Sequence, residues 1–270
     1  MNYLNRVPDL AGKDSLSSTM DPHRRERSVT DVVGASRNGF KPLPLKADPD
    51  STLVFSTQPT GLAAEQYRQL RRNLIEHYPE GATLLVTSPA QAEGKTMNAL
   101  NLAWCLAESG APTLLFEADL RRPAVAQALH WTVPLGVELA LNGEVEPKAV
   151  VSAADRLPLH VAAVSKPVRD PGQLIKSAGT RRFMDWARGQ FRWVVLDAPP
   201  LLPAADALEL CPLTDATLLV VRVRVTPREL LERSFQLLGS RLRGIILNEA
   251  SLCWDSYHRY LAHYYGPRSK

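Results

Sequence analysis

The chain has 270 residues, of which 45% are apolar, 22% charged and 7% aromatic, enough for one large or two small domains. Its 32 Lys+Arg against 28 Asp+Glu leave a net charge of +4, spread as 8 against 7 over residues 1–50, 21 against 20 over 51–253 and 3 against 1 over 254–270. Without a basic stripe or interleaved aromatics the charge gives no reason to expect nucleic acid, and no apolar run approaches the roughly 18 residues of a membrane span. Cys105, Cys211 and Cys253 are odd in number and far apart, which suits neither a disulfide framework nor a zinc site. Met1 to Leu10 has no continuous apolar core of a signal sequence, so a cytoplasmic protein is expected.

Residues 1–50 carry Pro8, Pro22, Pro42, Pro44 and Pro49, charges of both signs and no sustained apolar period, the composition of a flexible tail. A helix is expected from about Gly61, where Leu62, Tyr67, Leu70 and Leu74 recur at helical spacing, to the stop before Pro79 and Gly81. Six apolar runs then read as strands: Ala82–Thr87, Pro112–Ala118, Leu157–Val164, Trp193–Asp197, Ala216–Val223 and Gly244–Asn248. Helical stretches separate them at Met97–Glu108, Ala124–His130, Val137–Asn142, Gln173–Arg188, Ala204–Leu210 and Pro227–Leu238. Continuous apolar strands alternating with helices imply an α/β fold, a mostly parallel sheet covered by helices on both faces.

Chemistry enters at Ser88-Pro89-Ala90-Gln91-Ala92-Glu93-Gly94-Lys95-Thr96, a strand running through a loop into a helix. The first N–H groups of a helix lack intrahelical partners and its dipole favours negative charge, so this turn suits phosphate. Lys95 would reach the β and γ phosphates and the Thr96 hydroxyl would face Mg²⁺. The strict pattern places Gly where Pro89 stands, so the match is degenerate and needs support from elsewhere.

That support comes from two strand ends. Leu114-Leu115-Phe116 runs into Glu117-Ala118-Asp119, and Val194-Val195-Leu196 into Asp197-Ala198-Pro199-Pro200. The carboxyl edge of a parallel sheet is where ligands bind. Period-two alternation would place Glu117 and Asp119 on one side, so that with Asp197 they converge on a metal beside the loop.

With these motifs in this order, from Ala63 onward the chain resembles the bacterial tyrosine kinases (BY-kinases) of capsule and exopolysaccharide assembly. Ser88–Thr96 is similar to their Walker A motif, Leu114–Pro123 to Walker A′ and Val194–Pro200 to Walker B. Pro171–Ile175, Ala205–Ala207 and Gly244–Asn248 match further family segments. Glu65, Arg68 and Arg71, spaced by three on one helix face, resemble the family's Glu-x-x-Arg-x-x-Arg ring-assembly motif. Tyr257, Tyr260, Tyr264 and Tyr265 resemble its C-terminal autophosphorylation cluster, although their i, i+3, i+7, i+8 spacing equally describes an amphipathic helix.

The resemblance implies a P-loop NTPase-like domain over residues 51–253, between a tail of 1–50 and a tyrosine-rich tail of 254–270. It implies ATP and Mg²⁺ as cofactors, with Ala92, Glu93, Gly94, Lys95, Thr96 and Met97 on the nucleotide and Thr96, Asp119 and Asp197 on the metal. Lys95, Glu117, Asp119 and Asp197 would be catalytic. Implied partners are further copies in a ring, a separate inner-membrane chain-length or co-polymerase modulator that holds the protein at the cytoplasmic face, and a tyrosine phosphatase. The family's Walker A′ usually reads Asp-x-Asp, and Glu117 replaces the first Asp here. One extra methylene moves a carboxylate by roughly 1 to 1.5 Å, and a misplacement of that size can lower a rate about 10²-fold. Gln91 and Ala92 also replace the usual Pro-Gly. Together these departures favour a second expectation, a nucleotide-gated regulatory scaffold with little tyrosine transfer. A partitioning ATPase is disfavoured, because its extra lysine would fall where Ala90 stands.

Overall fold

A computed structural model gives the architecture and describes residues 39–43, 45 and 53–250. The expected strands form at β2 (Ala82–Thr87), β3 (Thr113–Glu117), β5 (Leu159–Ala162), β6 (Trp193–Asp197), β7 (Ala216–Arg222) and β8 (Leu242–Asn248). Two short strands join them, β1 (Lys41–Leu43) and β4 (Ser152–Ala154), giving one eight-stranded sheet in the order β1-β4-β5-β3-β6-β2-β7-β8. Every described pairing is parallel except β4 with β5, which are antiparallel neighbours joined by four residues.

β1 lies inside the region expected to be tail. It buries Leu43 at the sheet edge beyond β4, and three residues with one apolar side chain inward are too few for a periodic signal. The remainder of the expected tail, apart from Gly39, Phe40 and Leu45, lies outside the described residues, as do residues 251–270 with Cys253.

Alternation along each central strand divides the core into two layers. Leu84, Val86, Leu115, Val195, Leu218 and Val220 point to one face and pack with α2 (Leu62–His77) and α3 (Lys95–Glu108). Leu85, Leu114, Phe116, Val194, Leu196 and Leu219 point to the other, under α5 (Val137–Leu141), α7 (Ala178–Gln190), α8 (Asp206–Leu210) and α9 (Arg228–Leu238). Both faces being covered is why these strands read as unbroken apolar runs. Three further short helices are α1 (Val54–Thr57), α4 (Val125–Ala128) and α6 (Pro171–Ile175). No helix among the described residues is long and apolar enough to cross a membrane.

The stretch expected as one helix over Gln173–Arg188 is two. α6 ends at Ile175, and Ser177 begins α7 by accepting the Thr180 N–H at 3.0 Å on its Oγ. A serine N-cap satisfies a donor that a continuous helix would satisfy with backbone, so the chain can break here cheaply.

Candidate active site

Three strand ends are stitched together at the carboxyl edge. Asp197 O accepts the N–H groups of both Ala118 (2.8 Å) and Asp119 (3.0 Å), which ties the end of β6 to the chain leaving β3. Thr87 Oγ1 donates to Pro199 O at 2.7 Å and Leu201 N to Ser88 O at 2.8 Å, tying the loop after β6 to the loop after β2. These bonds border a cleft of about 800 Å³ lined by Gln91, Ala92, Gly94–Met97, Asp119, Arg121, Arg122, Ala124 and, after β6, Pro199, Pro200 and Pro203–Ala205, within the size range of small-molecule sites.

Gly94 is the N-cap of α3 at φ +88°, and a Cβ there would come 2.2 Å from Asn248 Nδ2. Glycine is required twice over, for the left-handed backbone and for the close approach. Asn248 Nδ2 donates to Glu93 O at 2.9 Å, and Asn98 Nδ2 donates to Gly94 O while its Oδ1 accepts from Tyr67 Oη. The loop is thus held from β8 and from α2 as well as by its own helix.

Ala92 has φ +62°, a left-handed conformation carried by a residue with a Cβ where the resembled family has Gly. Such a residue carries a penalty of about 1 kcal/mol or more. Ala92→Gly is therefore expected to raise the thermal unfolding midpoint, by an amount equivalent to at most about 1 kcal/mol once the added freedom of the unfolded chain is subtracted. An unchanged or lower midpoint would show that the alanine methyl has compensating contacts.

Lys95 Nζ lies 2.8 Å from Asp119 Oδ2, 3.7 Å from Asp197 Oδ1 and 3.5 Å from Thr96 Oγ1. Burial alone would lower the lysine pKa, but Asp197 and Asp119 outweigh it and hold the ammonium above its ordinary range. Asp197 is fully buried, which raises its pKa against the pull of Lys95 and Thr96, and neither of its carboxylate oxygens has a partner at full hydrogen-bonding geometry among the described residues. Those unsatisfied oxygens with the Thr96 hydroxyl form an all-oxygen donor set that fits Mg²⁺, which keeps several waters and takes one or two carboxylates plus phosphate oxygens. No cluster of three His, Cys, Asp or Glu that could hold a metal by itself occurs among the described residues, so the expected convergence of Glu117 with Asp119 and Asp197 does not form; Glu117 is taken up by backbone amides instead.

Of the expected nucleotide-binding residues, Ala92, Gly94, Lys95, Thr96 and Met97 line the cleft. Glu93 does not: it is 3% exposed, its Oε1 accepts from Thr226 Oγ1 at 2.9 Å, and burial raises its pKa. Glu117 does not line the cleft either, although it neighbours Asp197 across β3 and β6. β3 ends at Glu117, so the period-two rule that grouped it with Asp119 no longer applies two residues later. Its Oε1 accepts the N–H groups of Ala124 (2.6 Å) and Val125 (2.7 Å), and its Oε2 that of Val164 (2.8 Å).

Glu65, Arg68 and Arg71 sit on one face of α2, and their charges meet partners within the chain. Arg68 makes a two-point contact with Glu108 on α3 at 2.8 and 3.1 Å and reaches Glu65 at 3.3 Å; Arg71 donates to Cys105 O at 2.8 Å and reaches Glu108 at 3.3 Å. The part played by Glu108 carries no sequence signal, since it lies 40 residues from Arg68. Arg121, paired with Asp206 at 2.6 and 3.3 Å, is a second residue that the motifs left without a role. Tyr257, Tyr260, Tyr264 and Tyr265 lie outside the described residues.

No family model matches the chain. Individual proteins do. It is 29% identical over 213 residues to the tyrosine-protein kinase YwqD of Bacillus subtilis (strain 168), covering 77% of this chain and 90% of that one. It is 31% identical over 179 residues to the succinoglycan biosynthesis transport protein ExoP of Rhizobium meliloti (strain 1021), covering 64% of this chain but 23% of that longer protein. Among solved structures, the kinase domain of the Escherichia coli tyrosine kinase ETK superposes with a TM-score of 0.68 at 25% identity, over 78% of this chain and 82% of that domain.

Proposed function

The chain belongs to the bacterial tyrosine kinase family, and on that premise we propose that it is an ATP-dependent protein-tyrosine autokinase serving exopolysaccharide or capsule synthesis and export. The observation that carries this reading is the convergence of Lys95, Thr96, Asp119 and Asp197 on one cleft at the carboxyl edge of the sheet.

Phosphoryl transfer requires little covalent chemistry from the protein, so positioning and charge neutralisation dominate. Backbone N–H groups at the start of α3 and the Lys95 ammonium hold the β and γ phosphates. Thr96, Asp119 and Asp197 would hold magnesium, which when bound draws charge from those phosphates. A tyrosine hydroxyl has an ordinary pKa of about 10 and must lose its proton as the new bond forms. Asp119 is the carboxylate that faces the cleft, and it takes that proton. The phenolic oxygen bonds to the γ phosphorus, the bond to the bridging oxygen breaks, and ADP leaves.

The acceptors are Tyr257, Tyr260, Tyr264 and Tyr265, presented in trans within a homo-oligomer. A ring built through Glu65, Arg68 and Arg71 would require a neighbouring copy to compete with Glu108 for the two arginines. A separate inner-membrane modulator would place the protein at the cytoplasmic face, and a tyrosine phosphatase would reset it. The coverage of 90% of YwqD supports the kinase reading, and the alignment to under a quarter of ExoP supports association with a larger transport protein.

One observation favours the scaffold reading instead: Glu117, at the place of the first Walker A′ carboxylate, is committed to backbone amides. Mass spectrometry of the full chain incubated with Mg-ATP separates the two. Phosphate on the tail tyrosines of wild type but not of Lys95→Met is the expected result. Bound nucleotide without phosphotyrosine would overturn the kinase in favour of the scaffold.

A further inference from the structure

The cations along the cleft are unequally occupied. Lys95 faces two carboxylates and Arg121 is held by Asp206. Arg122 also lines the cleft and is exposed, its backbone N–H donates to Asp119 Oδ1 at 3.1 Å, and its guanidinium has no hydrogen bond or ion pair among the described residues. Among the described residues, then, Arg122 is a cleft cation without a partner, and it stands beside the carboxylate assigned to the acceptor proton. Pro199, Pro200 and Pro203 form an apolar part of the wall suited to an aromatic ring.

The proposed acceptor segment has a matching asymmetry. Asp255 is the only acidic residue among positions 251–270, and it precedes Tyr257 by two. Tyr260 follows Arg259 directly, and Tyr264 and Tyr265 follow His263 and have no acid nearby in sequence.

We propose that Arg122 is a specificity residue that pairs with Asp255 of an incoming tail, seats Tyr257 beside Asp119 against the proline wall, and makes Tyr257 the first tyrosine phosphorylated. This rests on the kinase reading above and goes beyond it by ordering the acceptors. The other three tyrosines lack the acid, and Arg259 beside Tyr260 would face Arg122 as a like charge, which suppresses the wrong register.

The test is a time course of the full chain with Mg-ATP, with phosphate quantified at each tyrosine by peptide mass spectrometry. Wild type is expected to place most of its earliest phosphate on Tyr257. Arg122→Glu should lower the share of Tyr257 relative to the other tyrosines by about tenfold, the scale on which reversing a partly screened contact charge acts. Asp255→Arg should do the same, and because Asp255 lies outside the described body this variant does not depend on how the cleft tolerates substitution. Combining the two reversals should restore the Tyr257 share. An unchanged site distribution in both single variants overturns the proposal while leaving the kinase intact. So does a uniform fall at all four tyrosines on changing Arg122, which would assign that residue to phosphate. Absence of phosphotyrosine at every position overturns the kinase reading and this one with it.

Discussion

Lys95→Met is expected to destabilise the protein even without nucleotide, in addition to ending phosphate transfer. The lysine side chain is 11% exposed and stands between Asp119, 5% exposed, and Asp197, which is fully buried. Removing one partner of a buried ion pair leaves the other charge in low dielectric without compensation, a loss of about 3 kcal/mol or more. Losing a preorganised positive group at the transferring phosphate lowers the rate by about 10² to 10³-fold. Equilibrium unfolding in urea, compared between wild type and variant, reads the first effect. The cause is isolated by adding Asp119→Asn to Lys95→Met. If uncompensated charge is responsible, the double variant should regain part of the lost stability, and the two losses should be far from additive. Simple additivity would mean that the lysine stabilises through packing of its aliphatic stem.

The parts of this site that were legible in sequence are those whose chemistry is local. Gly94-Lys95-Thr96 follows a strand within one loop, and Asp119 and Asp197 lie at or just past strand ends, so the topology alone brings them together. β2 and β6 match their expected boundaries because both faces of the sheet are covered and each apolar run gives way to a proline-containing loop. What was not legible depends on partners distant in sequence and without side-chain signature. The acceptor role of Glu117 is set by three backbone N–H groups, one of them 47 residues away. β4 is three small residues, Ser152-Ala153-Ala154, and is a strand only because β5 returns beside it and β1 closes the edge. Arg68 and Arg71 read as free for a neighbour because nothing in sequence announces Glu108.

Glu117→Ala is expected to be among the most destabilising single changes in the sheet, because the side chain joins three segments. Its carboxyl holds the first turn of α4 through Ala124 and Val125 and the chain beyond β5 through Val164. Leaving buried donors without an acceptor costs about 1 to 3 kcal/mol each before relaxation, so a total loss of about 3 to 5 kcal/mol is expected in urea unfolding. Glu117→Gln should lose less, yet still lose, because its amide presents donors to N–H groups. The two roles open to Glu117 then separate cleanly. A proton acceptor converted to Gln would end tyrosine transfer at full stability, whereas an anchor converted to Gln loses stability and keeps measurable transfer.

Its titration supplies an independent check. Burial pushes the Glu117 carboxyl up to about 7, while the amides of Val125, Val164 and Ala124 pull in the opposite direction. With a folded pKa above the unfolded value of 4.5, the folded protein keeps a proton between pH 4.5 and 7 that the unfolded chain has released. The contribution is therefore complete below pH 4.5, declines by about 1.4 kcal/mol per pH unit as pH rises, and is gone above pH 7. The stability advantage of wild type over Glu117→Gln should narrow across that window and level off beyond it. An advantage that instead widens with pH would show that the three amides outweigh burial and keep the carboxylate ionised throughout.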